Sequence, residues 1–242
     1  MHEFPNFVYL DVEKTGSTFI MTLLDEFISA PVVRREHHMP MEADCDRSKR
    51  YFISVRDPLD AYISLYSYGC MAQGKVRARL ARRGLDHHYD GTTEGFNRWM
   101  RFALKQKNAA LFADVRMDDD TEFGSLMGPQ SYRYFRLAVP DAKNQLAKCK
   151  TRNDVLSLYR RKKLPKHFVR HETFVKDICR LLRGPLRDWV TDVDAAVQHV
   201  RTAKPRNASE RIDKGNEDFV VDPVVHKRLQ AREWFLHRIF GY

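Results

Sequence analysis

The sequence predicts an α/β protein in which helices flank a mostly parallel central sheet. Two segments support this prediction, because in each a short apolar strand leads through a brief turn into an amphipathic helix. The first strand covers Phe7 to Asp11 and the second covers Tyr51 to Val55. The chain has 242 residues, 43% of them hydrophobic, and neither a flexible linker nor an internal repeat divides it. We therefore expect one domain over residues 1–242.

The first segment consists of a strand, a polar loop and a helix. Phe7 to Asp11 is rich in aromatic and β-branched side chains, which favours a buried strand. Val12 to Ser17 form the loop, and a helix is expected from Thr18 onward. Its apolar residues recur at spacings of three and four, which is the period of an α-helix: Ile20, Leu23, Leu24 and Phe27.

A loop of this kind can bind an anion. The first backbone N–H groups of a helix have no acceptor within the helix, and the helix dipole places partial positive charge there. Gly16 allows the backbone to approach a ligand closely, and Lys14 adds a full positive charge. Thr15, Ser17 and Thr18 add hydroxyl donors.

The order of residues in the loop separates two kinds of phosphate site. A Walker loop has the pattern G-x-x-x-x-G-K-[ST], whereas the lysine here precedes the only glycine of the segment. The order K-T-G-S-T resembles instead the 5′-phosphosulfate loop of the sulfotransferases that use 3′-phosphoadenosine 5′-phosphosulfate (PAPS). A turn with an exposed lysine is the purely structural alternative.

The second segment has a similar junction, with an arginine at the end of the strand. Tyr51 to Val55 is almost continuously apolar, as a central parallel strand should be. Asp57 suits the N-cap and Pro58 the first position of the following helix. Between the two segments, a further short strand is expected over Pro31 to Arg35. Ligands of open parallel sheets bind at the carboxyl ends of the strands, so both junctions are expected to face one crevice.

This second junction resembles the same family. VRDPLDAYISLYSY is similar to the 3′-phosphate motif of the PAPS-dependent sulfotransferases, in which an arginine ends a strand and a serine follows within the next helix. Arg56 can donate two hydrogen bonds to a phosphate, and Ser64 is expected on the same side of the junction. A structural ion pair of Arg56 with Asp57 or Asp60 is the alternative.

A histidine doublet between the two junctions supplies the candidate catalytic base. Many members of the family carry a histidine followed by Leu-Pro at this place, and His38-Met39-Pro40 resembles that arrangement. A histidine suits the role because its unperturbed pKa allows proton uptake near neutral pH. The neighbouring His37 leaves open which of the two is the base, although the Met-Pro context favours His38.

The resemblance continues in less detail toward the C-terminus. A strand is expected over Lys166 to Glu172, where the family ends a strand in a Tyr-Glu pair whose aromatic ring contacts the adenine. His171 stands in the place of that tyrosine. Two residues match in part the basic loop that the family closes over the 3′-phosphate: Arg211 and Lys214.

Other segments are expected to be structural. Gly91 to Lys107 contains an amphipathic helix that is expected to pack, a helix is expected over Thr173 to Arg183, and Asp222 and Pro223 can begin the last helix. The adjacent carboxylates in Met117 to Glu122 are expected to form a solvated loop, and no metal is expected.

Composition limits the classes of function. The formal net charge of +10 favours anionic partners. Two basic clusters, Lys75 to Arg83 and Arg160 to Lys163, lack interleaved aromatic residues, so no nucleic-acid partner is expected. No apolar run is long enough to span a membrane and no signal peptide is recognisable, so a cytoplasmic location is expected. The cysteines are expected to be reduced thiols at irregular spacing: Cys45, Cys70, Cys149 and Cys179.

The resemblance implies a P-loop-like sulfotransferase fold and a sulfuryl transfer from PAPS to a hydroxyl or amine, with a carbohydrate or another polar small molecule as acceptor. Lys14 would stabilise the charge that develops on the leaving phosphate, and His38 would take the proton of the acceptor. Two other classes remain open. One is a magnesium-dependent small-molecule kinase, and the other is a non-catalytic protein that binds polyanions.

Overall fold

A computed structural model of the chain describes residues 1–113, 123–203 and 220–242. The chain forms two compact units that alternate along the sequence. The first comprises Met1–Arg56, Tyr134–Ala142 and Tyr159–Asn207, and the second comprises Asp57–Arg133, Lys143–Leu158 and Ala208–Tyr242. The expectation of a single domain stays a prediction.

The first unit contains a five-stranded sheet in the order β3-β1-β2-β4-β5. Strands β2, β4 and β5 are parallel to one another, whereas β1 runs antiparallel to β2 and β3 runs antiparallel to β1. The strands are β1 His2–Glu3, β2 Phe7–Leu10, β3 Arg34–Arg35, β4 Arg50–Val55 and β5 His167–Arg170.

The prediction of an α/β protein with a sheet flanked by helices is confirmed, but the prediction of a mostly parallel sheet is wrong, because the sheet is mixed. The chain turns back between β1 and β2, where the N–H of Phe4 donates to the carbonyl of Phe7. Of the strand expected over Pro31 to Arg35, only Arg34–Arg35 pairs, and it pairs with β1. Strands of two residues have too little length to show an apolar alternation.

The helices begin close to the predicted positions, but the single last helix predicted from Asp222 is wrong, because α12 ends at Arg232 and a separate helix, α13, follows. Asp57 caps α2 with Pro58 at its first position, and Asp222 caps α12 in the same way with Pro223. The helices are α1 Ser17–Phe27, α2 Pro58–Cys70, α3 Lys75–Ala81, α4 Thr93–Ala103, α5 Ala109–Phe112, α6 Phe123–Leu126, α7 Pro129–Ala138, α8 Ala142–Leu146, α9 Arg152–Lys162, α10 Phe174–Arg183, α11 Val193–Thr202, α12 Pro223–Arg232 and α13 Trp234–Phe240.

Each unit has its own apolar core. In the first unit, one face of the sheet packs against α1, α10 and α11, and this core includes Phe7, Tyr9, Phe52, Leu24 and Ile178. In the second unit, α2, α4 and α12 contribute to a core that surrounds Trp99. The five apolar residues predicted for the helix in Gly91 to Lys107 are all buried, so its packing role is confirmed: Phe96, Trp99, Met100, Ala103 and Leu104.

Within the described ranges, none of the helices combines the length and the apolar character that crossing a membrane requires.

Candidate functional site

The loop between β2 and α1 places polar groups at the carboxyl end of a parallel strand. Gly16 is the N-cap of α1 and has a φ of 84°. Glycine has no side chain that could accept a hydrogen bond from the first turn of α1. The backbone N–H groups of that turn therefore lack a side-chain cap and can donate to a ligand at the loop. Gly16 and Thr18 are exposed, and Lys14 and Ser17 are half-buried. The loop therefore has the local geometry of an anion-binding helix terminus.

Lys14 also adopts a left-handed backbone conformation, with a φ of 65°. This conformation costs energy for a residue with a Cβ atom, and such residues concentrate at functional sites. Two left-handed residues within three positions turn the chain sharply between the strand and the helix. The lysine lies at that turn.

Thr15 differs from the other hydroxyl residues of the loop because its side chain is buried. Its hydroxyl donates to the carbonyl of Val12 at 2.6 Å and lies 2.5 Å from the Ser54 hydroxyl, which in turn lies 2.7 Å from the hydroxyl of Tyr9. Burial raises the pKa of the Tyr9 phenol, so this group keeps its proton.

The direction of this chain of hydroxyl groups follows from the proton count. Thr15 uses its only proton on Val12, so it must accept from Ser54, and Ser54 must accept from Tyr9. The Thr15 side chain was predicted to contact the cofactor, but its proton is already used inside the protein. A contribution of Thr15 to anion binding therefore has to come from its backbone N–H.

Arg56 follows β4, the strand that lies beside β2 in parallel orientation. Its guanidinium donates through Nη1 to the carbonyl of Lys14 at 3.2 Å. Arg56 and the loop therefore lie together at the carboxyl end of two neighbouring strands of the first unit, as the sequence predicted. Ser64 lies half-buried in α2, within the second unit.

His38 is held close to the same end of β2 by Asp11. Its backbone N–H donates to the two carboxylate oxygens of Asp11 at 3.1 and 3.3 Å, and its Nδ1 lies 2.7 Å from the backbone carbonyl of Asp11. Arg136 donates through Nη2 to the carbonyl of His38 at 2.6 Å. His37 contacts the same carboxylate through its Nδ1 at 3.2 Å.

The three residues Asp11, His37 and His38 are also the group of the described chain whose ligand atoms lie close enough to hold a metal ion, within 4.8 Å of one another. Hydrogen bonds already account for these atoms. The carboxylate of Asp11 accepts from His38, from His37 and from the ammonium group of Met1. We therefore describe the group as a hydrogen-bond network.

The remaining predicted residues lie at different places. His171 follows β5 in a short 3₁₀ turn, and its ring lies 6.4 Å from that of Phe174. Glu172 is exposed in the same turn. Arg211 and Lys214 lie outside the described residues, as does the predicted acidic loop in Met117 to Glu122.

Three residues of the site were not predicted from the sequence. Asp11 appeared only as the end of a strand, and Arg136 was not singled out. Phe174 was not singled out for the site. Its half-buried ring packs against the core of the first unit and also lies over the loop, where a Cβ atom on Gly16 would approach Cε2 of Phe174 to 2.8 Å. The ring of Phe174 also meets Phe19 edge-on, with centroids 5.6 Å apart. These contacts join segments that are distant in sequence.

A polar cavity of about 200 Å³ lies in the first unit close to this network. Pro40 and Met41, which follow His38 closely in sequence, line it together with Met1 and Glu42. Its volume is sufficient for a small polar group and falls below the usual size of a site for a drug-sized ligand.

A comparison with family models, with curated proteins and with solved structures found no match for this chain. The functional argument consequently rests on the geometry of the site and on the resemblance of its motifs.

Proposed function

We propose that this protein transfers a sulfuryl group from PAPS to a hydroxyl or amine of a polar acceptor. The observation that carries the proposal is the position of Arg56, on the strand next to β2, with its guanidinium hydrogen-bonded to the carbonyl of Lys14. Both motifs that resemble the sulfotransferase family therefore contribute a cationic residue at the same end of the first unit's sheet. If the two motifs resembled the family only by chance, there would be no reason to expect Arg56 and Lys14 to lie next to each other.

The residues of the loop fit the anionic groups of PAPS. A phosphosulfate carries several negative charges, and the loop offers the backbone N–H groups at the start of α1, the exposed Gly16 and the ammonium group of Lys14. Arg56 offers a fork of donors that suits the 3′-phosphate. PAPS supplies an activated sulfuryl group whose S–O bond to the phosphate is broken in the reaction.

The proposed step forms a bond between the acceptor oxygen or nitrogen and sulfur, while the S–O bond to the 5′-phosphate breaks. Lys14 and the N–H groups of α1 stabilise the negative charge that develops on the departing phosphate. One preorganised donor of this kind contributes about 3–4 kcal/mol to lowering a barrier. The proton of the acceptor moves to a histidine, and adenosine 3′,5′-bisphosphate remains as the second product.

His38 is the better candidate for this base than His37. A backbone carbonyl can only accept a hydrogen bond, so the short contact of His38 Nδ1 with the carbonyl of Asp11 makes Nδ1 the protonated nitrogen of the neutral ring. Nε2 then carries the lone pair that accepts a proton. The His37 side chain is 58% exposed, against 19% for His38, and it contacts a carboxylate instead.

Thermal unfolding with adenosine 3′,5′-bisphosphate, compared with ATP and Mg²⁺, tests the cofactor site. We expect stabilisation by the bisphosphate in the absence of magnesium. At about 100 times its Kd, a ligand stabilises the native state by about 2.7 kcal/mol, which corresponds to a rise in Tm of roughly 5–10 °C for a chain of this size.

Two arginine variants, one at each end of β4, make the test specific. Arg56→Ala should abolish the rise in Tm caused by the bisphosphate. Arg50→Ala removes the same type of side chain at the opposite end of β4 and should leave the rise unchanged. A rise with ATP and Mg²⁺ alone would favour the kinase, and the absence of a rise with either ligand would contradict the proposal.

A further inference from the structure

His38 has a backbone conformation that a histidine rarely adopts. Its φ is 56°, in the left-handed region, where a side chain with a Cβ atom is disfavoured. Strained residues of this kind persist only where the surrounding structure determines their conformation. The contacts of His38 therefore identify which residues impose it.

Three hydrogen bonds restrain His38, on its N–H, its C=O and its ring. The carboxylate of Asp11 accepts from the N–H, the carbonyl of Asp11 accepts from Nδ1, and Arg136 donates to the C=O. Asp11 is fully buried and Arg136 is 7% exposed, so water competes little with either contact. Asp11 and Arg136 together thus fix the left-handed backbone of His38, and Asp11 also fixes the orientation of its ring.

We propose that Asp11 and Arg136 are positioning residues that orient His38 for proton transfer, an inference that rests on the proposed function. Neither residue needs to touch the acceptor or the cofactor. Together they hold the His38 ring as the Nδ1–H tautomer, with the lone pair on Nε2. General-base catalysis requires the base in the correct protonation state and within hydrogen-bond reach of the proton.

The contacts of Asp11 also explain the histidine doublet. His37 donates through Nδ1 to the same carboxylate, on the oxygen Oδ2 at 3.2 Å. The backbone N–H of His38 contacts both oxygens of this carboxylate. His37 thus meets Asp11 through its exposed ring alone, whereas His38 is held by both its backbone and its ring.

The tautomer of His38 can be measured without knowledge of the acceptor. Long-range ¹H–¹⁵N NMR spectra of the ¹⁵N-histidine-labelled protein, recorded at a pH at which histidine is neutral, distinguish the two tautomers, and His38→Gln assigns the signal. We expect one dominant Nδ1–H tautomer in the wild type. Asp11→Asn keeps the backbone carbonyl that accepts from Nδ1 but replaces one carboxylate oxygen that accepts from the His38 N–H with a donor. The loss of this restraint should let the ring leave the carbonyl and give a mixture of tautomers.

Arg136 provides a second, independent variant. Arg136→Met should also give a mixture, whereas Arg136→Lys, which keeps a cationic donor, should restore part of the dominant tautomer. His37→Asn is the control, and it should leave the His38 signal close to that of the wild type. If Asp11 and Arg136 only stabilised the fold, their variants would lower Tm without changing the tautomer of His38 in the folded protein.

The outcomes distinguish this inference from the proposed function. An unchanged His38 tautomer in both Asp11→Asn and Arg136→Met would overturn the positioning role, even if the bisphosphate binds normally. The absence of bisphosphate binding would overturn the proposed function, whatever the tautomer. In the expected case, the variants bind the bisphosphate with the affinity of the wild type and differ only in the state of His38.

Discussion

At the scale of single residues, Gly16 combines two reasons why a side chain is not tolerated in the loop. Its φ of 84° disfavours any side chain, and a Cβ atom would also approach the ring of Phe174 to 2.8 Å. The first effect costs roughly 1–2 kcal/mol. The steric contact with Phe174 adds to this cost, because the Phe174 ring is packed against Phe19 and has little room to move.

Gly84 allows these two effects to be separated. It also has a positive φ, of 67°, but no described atom lies within 4 Å of a Cβ atom built on it. We expect Gly16→Ala to lower the free energy of unfolding more than Gly84→Ala does, as measured by urea denaturation. Gly16→Ala combined with Phe174→Leu should recover part of the difference, and equal costs for the two single variants would show that the ring gives way freely.

The loop also illustrates how far residue-level reasoning from sequence can go. The strand, the loop with its glycine, and the following helix were predictable, because each has a local pattern. The use of the Thr15 proton was not predictable, since it depends on Ser54 and Tyr9 in two neighbouring strands. The same applies to His38, whose partners lie far before and far after it in the chain.

At the scale of the elements, the second unit contains a buried carboxylate that joins α2 and α7 to the junction between α12 and α13. Glu233, between α12 and α13, is fully buried. It accepts from the hydroxyl of Tyr62 in α2 at 2.7 Å and from the backbone N–H groups of Gln130 and Ser131, at the start of α7, at 3.2 and 2.7 Å. Burial, and then the charge of Glu233, raise the pKa of Tyr62, so the phenol remains a donor.

Substitution of Glu233 should destabilise the second unit. In Glu233→Gln, an amide NH₂ group replaces one of the two carboxylate oxygens. The buried backbone N–H that donated to this oxygen then has no acceptor. We expect a loss of about 1–3 kcal/mol in the free energy of unfolding. Glu94→Gln is the matched control, because Glu94 is exposed in the first turn of α4. A loss of equal size in both variants would contradict the structural role of Glu233.

Elements differed in how well the sequence predicted them. Strands β2 and β4 and the helices that follow them carry strong apolar patterns. Both strands formed within one residue of the predicted bounds, and both helices begin within one residue of the predicted start. Strands β1 and β3 have only two residues each and carry no such pattern. Their places in the sheet depend on pairing, of β1 with β2 and of β3 with β1. The error about the parallel sheet follows from these two short strands.

At the scale of the whole molecule, the net charge of +10 predicts attraction to polyanions that is independent of the loop. Lys14 is one of 42 basic residues. We therefore expect Lys14→Ala to leave the salt concentration for elution from heparin almost unchanged, while it removes the rise in Tm caused by the bisphosphate.

The polyanion-binding class predicts the same result with heparin but a different result with the bisphosphate. In that case, heparin would bind at physiological salt with the affinity unchanged in Lys14→Ala, and the wild type would give no rise in Tm with the bisphosphate. Elution from heparin and thermal unfolding report on different surfaces, so the two measurements together separate a loop site from general charge attraction.

The order of the strands has a consequence for how the chain is made. β5 is the outer neighbour of β4, yet most of the second unit is encoded between them. While a ribosome is still adding those residues, one edge of β4 has no partner, and its residues Phe52 to Val55 are almost entirely apolar. An open apolar edge is prone to association between partly synthesised chains. A slow step of elongation after β4 would therefore lower the yield of folded protein more than one placed after β5.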